Sequence, residues 1–314
     1  MMMNDLPDRR PIRNAAALVT AVLLLAGMAS AAALQCPALT KIESPRIEAR
    51  FERGLLFRVS RAGRGDSYLF GTMHLPDGGD VSVPDAARRA LAGSRHFAME
   101  VVLDEMSIVE MAGRMYYRNG GNLHDAVGNE LASRAGDLLV NHGVPAVSTG
   151  YMKPWAAFVT LSSPPSDGSL PMDYSLMTEA QQLGIEVHGL ETPSEQLDIF
   201  ASMPEGDQAK LLLSTVCHYS LLQQQSQELI RLYRDRDLRG LLTVSTRYES
   251  PYKDIEDALF DALIWQRNEK MLARLEPLLE SGPSFVAVGA LHLPGRRGLL
   301  EMLERRGYAI EVVY

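Results

Sequence analysis

Residues 68–76 read YLFGTMHLP, and residues 286–294 read VAVGALHLP. Each is a short apolar run followed by Gly-x-x-His-Leu-Pro. After each comes a segment that predicts a short helix, then a second apolar strand: FAMEV at 97–101 and YAIEV at 308–312. Apolar runs of this length, bounded by Gly and Pro, predict strands. One GxxH arises easily by chance. Two with the same flanks, at opposite ends of a chain, point to two related half-units in one sheet. The expected fold class is therefore α/β (α+β): a central mixed sheet built from two strand–GxxH–helix–strand half-units, with a large helical insertion at about 104–281.

Outward from the first copy, 55–60 (LLFRVS) and 67–71 predict a hairpin across the Gly-rich turn at 61–66. Helical spacing of apolar residues marks 84–93, 105–118, 122–142, 174–183, 207–234, 237–246, 255–281 and 296–306. A strand is expected at 185–190, and Thr192-Pro193-Ser194-Glu195 opens a further helix. Ser162–Ser169 reads as a loop.

The chemistry follows from the repeat. The glycine is expected to end the strand and let the backbone turn. The histidine three residues on then sits past the strand's carboxyl end, where open α/β sheets bind ligands. If the two strands are neighbours, His74 and His292 face one cleft. Glu100 lies inside an apolar strand, where an unpaired carboxylate is costly to bury. Glu191 lies just past the end of another strand. Two imidazoles and one or two carboxylates suit a divalent cation, and they equally suit metal-free acid–base chemistry. Glu311 matches Glu100 in the repeat but reads as a solvated edge residue. His96, His124, His142, His188 and His218 read as structural, with His188 set apart only by its closeness to Glu191. HExxH, G-x-S-x-G, P-loop and G-x-G-x-x-G motifs are absent from the sequence, which disfavours serine-triad, nucleotide and Rossmann redox chemistry.

The 314 residues are 46% hydrophobic and 22% charged, an ordinary globular mixture. A net charge of −8 with no basic block argues against nucleic acid as a partner. Arg9, Arg10 and Arg13 precede an uncharged run from Ala15 to Leu34 that ends in small residues. Residues 1–33 thus read as a signal peptide, or as an uncleaved anchor giving membrane association through 15–34. Either address is periplasmic or secreted. Residues 34–53 read as an N-terminal arm and 54–314 as one domain. Two cysteines exclude a disulfide-dense scaffold. In an oxidising space Cys36 and Cys217 can pair; alternatively Cys217 is a buried apolar residue on a helix.

From Leu56 to the C-terminus the sequence resembles the TraB/GumN family, which is related to the Tiki membrane-associated metalloproteases. The matching pieces, in order, are YLFGTMHLP, the acid of AMEV (Glu100), KPW at 153–155, PMDYSLM with Asp173, GLETPSEQL at 189–197, QRNEKM at 266–271, and the second GxxH stretch. Lys153, Gln266 and Met271 stand where the family commonly has Arg, Asp and Trp. The resemblance implies a functional core of His74, Glu100, Glu191, Arg267 and His292. Asp173, Lys153 and Asn268 would be substrate-binding. Without the resemblance, Asp173 reads as a helix cap and Arg267 as a surface ion-pair residue. The expected function is a metal-dependent hydrolase acting on peptides or proteins. His74, His292 and Glu100 would hold Mn, Co or Zn, and Arg267 would stabilise an oxyanion. The alternatives are a binding protein that captures peptide, haem or metal in the same cleft, and an envelope interaction protein using the helices at 207–281.

Overall fold

The structure is a computed structural model that describes residues 34–42, 49–165 and 168–314. The segment read as a signal peptide or anchor, and residues 166–167 of the expected loop, lie outside the described residues. Among the described residues no helix is long and apolar enough to cross a membrane.

Among the described residues the central sheet has six strands: β1 (Leu56–Ser60), β2 (Ser67–Thr72), β3 (His96–Val101), β4 (Glu186–Glu191), β5 (Ser284–Gly289) and β6 (Ala309–Val312). Their order is β4-β3-β5-β2-β1-β6. β1 and β2 form the expected hairpin, with Leu56 opposite Phe70. The two repeat strands, far apart in sequence, are direct parallel neighbours: Tyr68 pairs with Phe285 and Thr72 with Gly289. β3 pairs in parallel with both β4 and β5. β6 closes the far edge antiparallel to β1, and Glu311 is exposed there beside Arg58. From β2 the chain proceeds toward β3; from β5 it proceeds the opposite way, toward β6. The β2/β5 boundary is therefore a switch in strand order, the place where such sheets open a crevice at the strands' carboxyl ends.

Every residue of β3 is buried, as expected of a parallel strand covered on both faces. Helices Asp85–Ala92 and Met172–Gln182 pack on one another and on the sheet, as do Arg267–Ser281 and Leu299–Arg305. Phe97 stacks on Phe285, and Phe70 tilts against it, in the core.

The segment 104–281 is mostly helical but supplies β4. It also has a hydrophobic cluster of its own, in which Leu123, Leu139, Trp155, Leu161 and Leu212 meet. Helix Pro154–Ser162 belongs to this cluster and was absent from the expected elements, although Pro154 at the first helical position is its signature. The expected long helix at 122–142 breaks at Gly128, whose φ of 83° is left-handed. The one at 207–234 breaks at His218. Cys36 and Cys217 form a disulfide, which joins the arm to helix Glu205–Cys217.

Candidate active site

Both GxxH glycines were expected to serve a turn, but neither has positive φ. They serve close approach instead. A Cβ on Gly71 would lie 2.8 Å from Leu293 Cδ1 and 3.1 Å from the Ala290 Cα, so the first motif rests against the second. A Cβ on Gly289 would lie 3.2 Å from Glu100 Oε1. Gly289 donates its N–H to that same oxygen at 2.6 Å.

His292 ends a one-turn 3₁₀ helix, Ala290–His292, just past β5, and is buried. Asn268 Nδ2 donates to two carbonyls, His292 O at 3.1 Å and Arg297 O at 2.7 Å. That fixes the amide, so Asn268 Oδ1 faces His292 Nδ1 at 2.7 Å and Nδ1 must carry the proton. Nε2 then points its lone pair toward Glu100 Oε1, 3.7 Å away, and Arg267 Nη1, 3.3 Å away. His74 is held the same way. Its Nδ1 donates to Asp173 Oδ2 at 2.9 Å, which leaves Nε2 outward. Asp173 and Asn268 each occupy the second position of a helix, Met172–Gln182 and Arg267–Ser281. Asp173 is not the cap; that position is Pro171. The two half-units thus hold their histidines by equivalent contacts.

The environments differ. The His74 side chain is 68% exposed. Its hydrogen bond to Asp173 raises its pKa, against desolvation. Burial pushes His292 down to about 4, with Glu100 opposing. For Glu100, burial favours the neutral form, but charge on His292 where that ring is protonated, the Arg267 guanidinium and the Gly289 N–H outweigh it and hold the carboxyl well below the usual range. The state that Arg267 favours at neutral pH is an ionised Glu100 facing a neutral His292.

Arg267 binds both acids. Its Nε and Nη2 donate to Glu191 Oε2 at 2.8 and 2.7 Å, and Nη2 also reaches Glu100 Oε2. Nη1 contacts Leu263 O at 3.1 Å and His292. The guanidinium is thus a buried clamp on two carboxylates, with one Nη1 N–H facing His292 Nε2. A π-helical turn, Asp261–Gln266, leads into it; such turns often mark functional sites.

Gln196, which sequence reasoning passed over, donates to Glu100 Oε2 and Glu191 Oε2 at 3.4 and 3.3 Å. Its only signal was its place in GLETPSEQL, next to the capping-box acid Glu195. Lys153 stands before helix Pro154–Ser162 in the second cluster. Among the described residues no side-chain hydrogen bond or ion pair joins it to the acids. A cavity of about 880 Å³ adjoins the site through Leu263, Trp265 and Arg297 but is not lined by the two histidines or acids.

The donor chemistry fits a divalent cation: two imidazoles with Nδ1 held from behind, and a carboxylate oxygen 3.7 Å from His292 Nε2. The spacing is incomplete. Among the described residues only His96, Glu186 and His188 bring three ligand atoms within 4.8 Å of one another; His74, Glu100 and His292 do not.

The fold is that of an α/β protein in which two adjacent parallel strands are each followed by a histidine held at Nδ1 from a neighbouring helix. The chain belongs to the TraB/PrgY/gumN family, whose model matches residues 55–312. It is 24% identical over 299 residues to metalloprotease TIKI2 of Danio rerio, covering 78% of this chain and 58% of that protein. It is 23% identical to metalloprotease TIKI1 of Danio rerio (78% and 60% covered) and of Homo sapiens (78% and 59%). The chain spans about three-fifths of the length of these curated relatives. No solved structure gives a significant match.

Proposed function

We propose that this chain is a metal-dependent peptidase whose cleft lies between the two GxxH motifs. The observation that carries the reading is the matched support of His74 by Asp173 and His292 by Asn268, which directs both Nε2 atoms away from their backing residues. The metalloprotease relatives support a metal and a peptide or protein substrate. His74, His292 and Glu100 would hold the cation, which supplies Lewis acidity and an activated water. Arg267 keeps Glu100 ionised and holds Glu191 in place. Asn268 sets the His292 tautomer, and Asp173 orients His74. Glu191 is the remaining acid for proton transfer. Periplasmic or secreted placement, by cleaved signal or retained anchor, belongs to the same proposal. The Cys36–Cys217 disulfide supports it, since such bonds persist in oxidising compartments.

The test is cleavage of a peptide library with and without chelator. His74→Ala and His292→Ala should each lose at least about 100-fold in turnover while staying folded. Wild-type turnover in either variant overturns the reading. So does stoichiometric capture of peptide, haem or metal without chelator-sensitive cleavage.

A further inference from the structure

At the opposite end of the sheet a second group of ligands converges. His96 opens β3, while Glu186 and His188 lie on β4. The parallel register sets His96 opposite Glu186 and Ala98 opposite His188. Residues two apart on a strand share a face, so all three side chains rise from one side of the sheet. His96 Nδ1 lies 3.3 Å from Glu186 Oε2 and 3.3 Å from His188 Nε2. His188 Nε2 lies 3.6 Å from Glu186 Oε1. These separations are at the long end of hydrogen bonding, whose optimum is about 2.9 Å. They match the spacing of two ligands on one tetrahedral ion with bonds of about 2.0–2.1 Å, roughly 3.4 Å.

The tautomer of His96 points the same way. Ser281, at the end of helix Arg267–Ser281, has its Oγ 2.8 Å from Leu278 O and 3.0 Å from His96 Nε2. A carbonyl only accepts, so the single hydroxyl proton goes to Leu278 O and Ser281 accepts from His96 Nε2–H. Nδ1 therefore presents a lone pair to a carboxylate. His96 is buried, so what can reach this lone pair is His188 Nε2, 3.3 Å away, or a cation. A cation between the three residues satisfies the lone pair and the carboxylate together, and the serine is the outer hydrogen-bond partner that metal-bound histidines usually have. Glu186 is 65% exposed, which leaves an entry path and room for a water ligand.

We infer that His96, Glu186 and His188 form a second metal site, separate from the GxxH cleft, for a first-row transition cation such as Zn²⁺. Two nitrogens and one oxygen do not suit Mg²⁺ or Ca²⁺. The site closes one end of three elements (β3, β4 and the 267–281 helix) whose other ends carry Glu100, Glu191 and Arg267.

The experiment is Zn²⁺ titration calorimetry on tag-free, chelator-stripped protein, with Co²⁺ absorption as a second probe. Glu186→Gln and His188→Gln change accessible side chains and are checked for fold by circular dichroism. The His74→Ala/His292→Ala variant should keep one high-affinity Zn²⁺. Adding Glu186→Gln or His188→Gln should weaken that binding at least about 10-fold, as should Ser281→Ala, an outer-partner change. Mg²⁺ should not compete. Zn²⁺ binding that is unchanged in Glu186→Gln and His188→Gln, or absent from the His74→Ala/His292→Ala variant, overturns the inference. Failure of the GxxH proposal is read separately, as full Zn²⁺ stoichiometry in His74→Ala/His292→Ala.

Discussion

Replacing Arg267 by Met removes the cation that bridges Glu100 and Glu191. The three side chains are 9%, 11% and 1% exposed, and the two acids share the same Nη2. Met preserves most of the apolar stem, so the loss is electrostatic. Breaking a buried ion pair by deleting one partner costs about 3–5 kcal/mol, and here two carboxylates lose their partner at once. They respond as paired acids do: one takes up a proton and its pKa rises. In the wild type the carboxyl of Glu100 sits below its ordinary value near 4.5. The stability it contributes is complete above that pH and is lost as pH falls further. In Arg267→Met the sign reverses. A raised carboxyl costs stability as pH climbs from 4.5 toward 7, at up to about 1.4 kcal/mol per pH unit. The penalty should thus be largest at pH 7 and shrink toward pH 5. Urea unfolding of both proteins in EDTA at pH 5, 6 and 7 measures it, with a Tm drop on the order of 10 °C at pH 7. Adding Glu191→Gln to Arg267→Met should recover about 1–3 kcal/mol at pH 7. A penalty below about 1 kcal/mol at pH 7, or one indifferent to pH, would refute the clamp.

Asn268→Ala should strand the buried His292 Nδ1–H and two carbonyls, costing about 1–3 kcal/mol; peptide turnover should fall more than in a surface control, and full activity would free His292 from this support. Gly71→Ala places a Cβ against Leu293 and Ala290 and should cost about 1–3 kcal/mol by overpacking, read as a shift in the urea midpoint. Replacing both Cys36 and Cys217 by Ser opens a link between positions 181 residues apart, and calorimetry should show about 2–5 kcal/mol less stability. An unchanged Tm would mean the arm contributes nothing through that bond.

Much of the site was legible because its residues sit at points where backbone pattern and chemistry coincide. A glycine and a histidine at fixed spacing after two apolar runs, and an acid inside an apolar strand, are visible without coordinates. Gln196 and the role of Arg267 were not. Both lie on helices where a polar residue normally faces water, and only the packing of those helices over the strand ends turns them inward. The glycines illustrate the limit differently: their identity was legible, but the reason, close contact with Leu293 and Glu100, depends on atoms more than 20 residues away along the chain. His96 and His188 read as structural because strand pairing, not sequence spacing, brings them together.

By itself, then, the sequence determined the α/β class, the twin strand–GxxH units and the residues of the candidate site, since local periodicity and residue type suffice for these. Tertiary structure alone decided that β2 and β5 touch and that Asp173 and Asn268 set the two imidazoles. It also decided that Arg267 faces inward, against Glu100 and Glu191, rather than toward water. Those facts depend on which distant surfaces exclude water together, and no short stretch of chain encodes that.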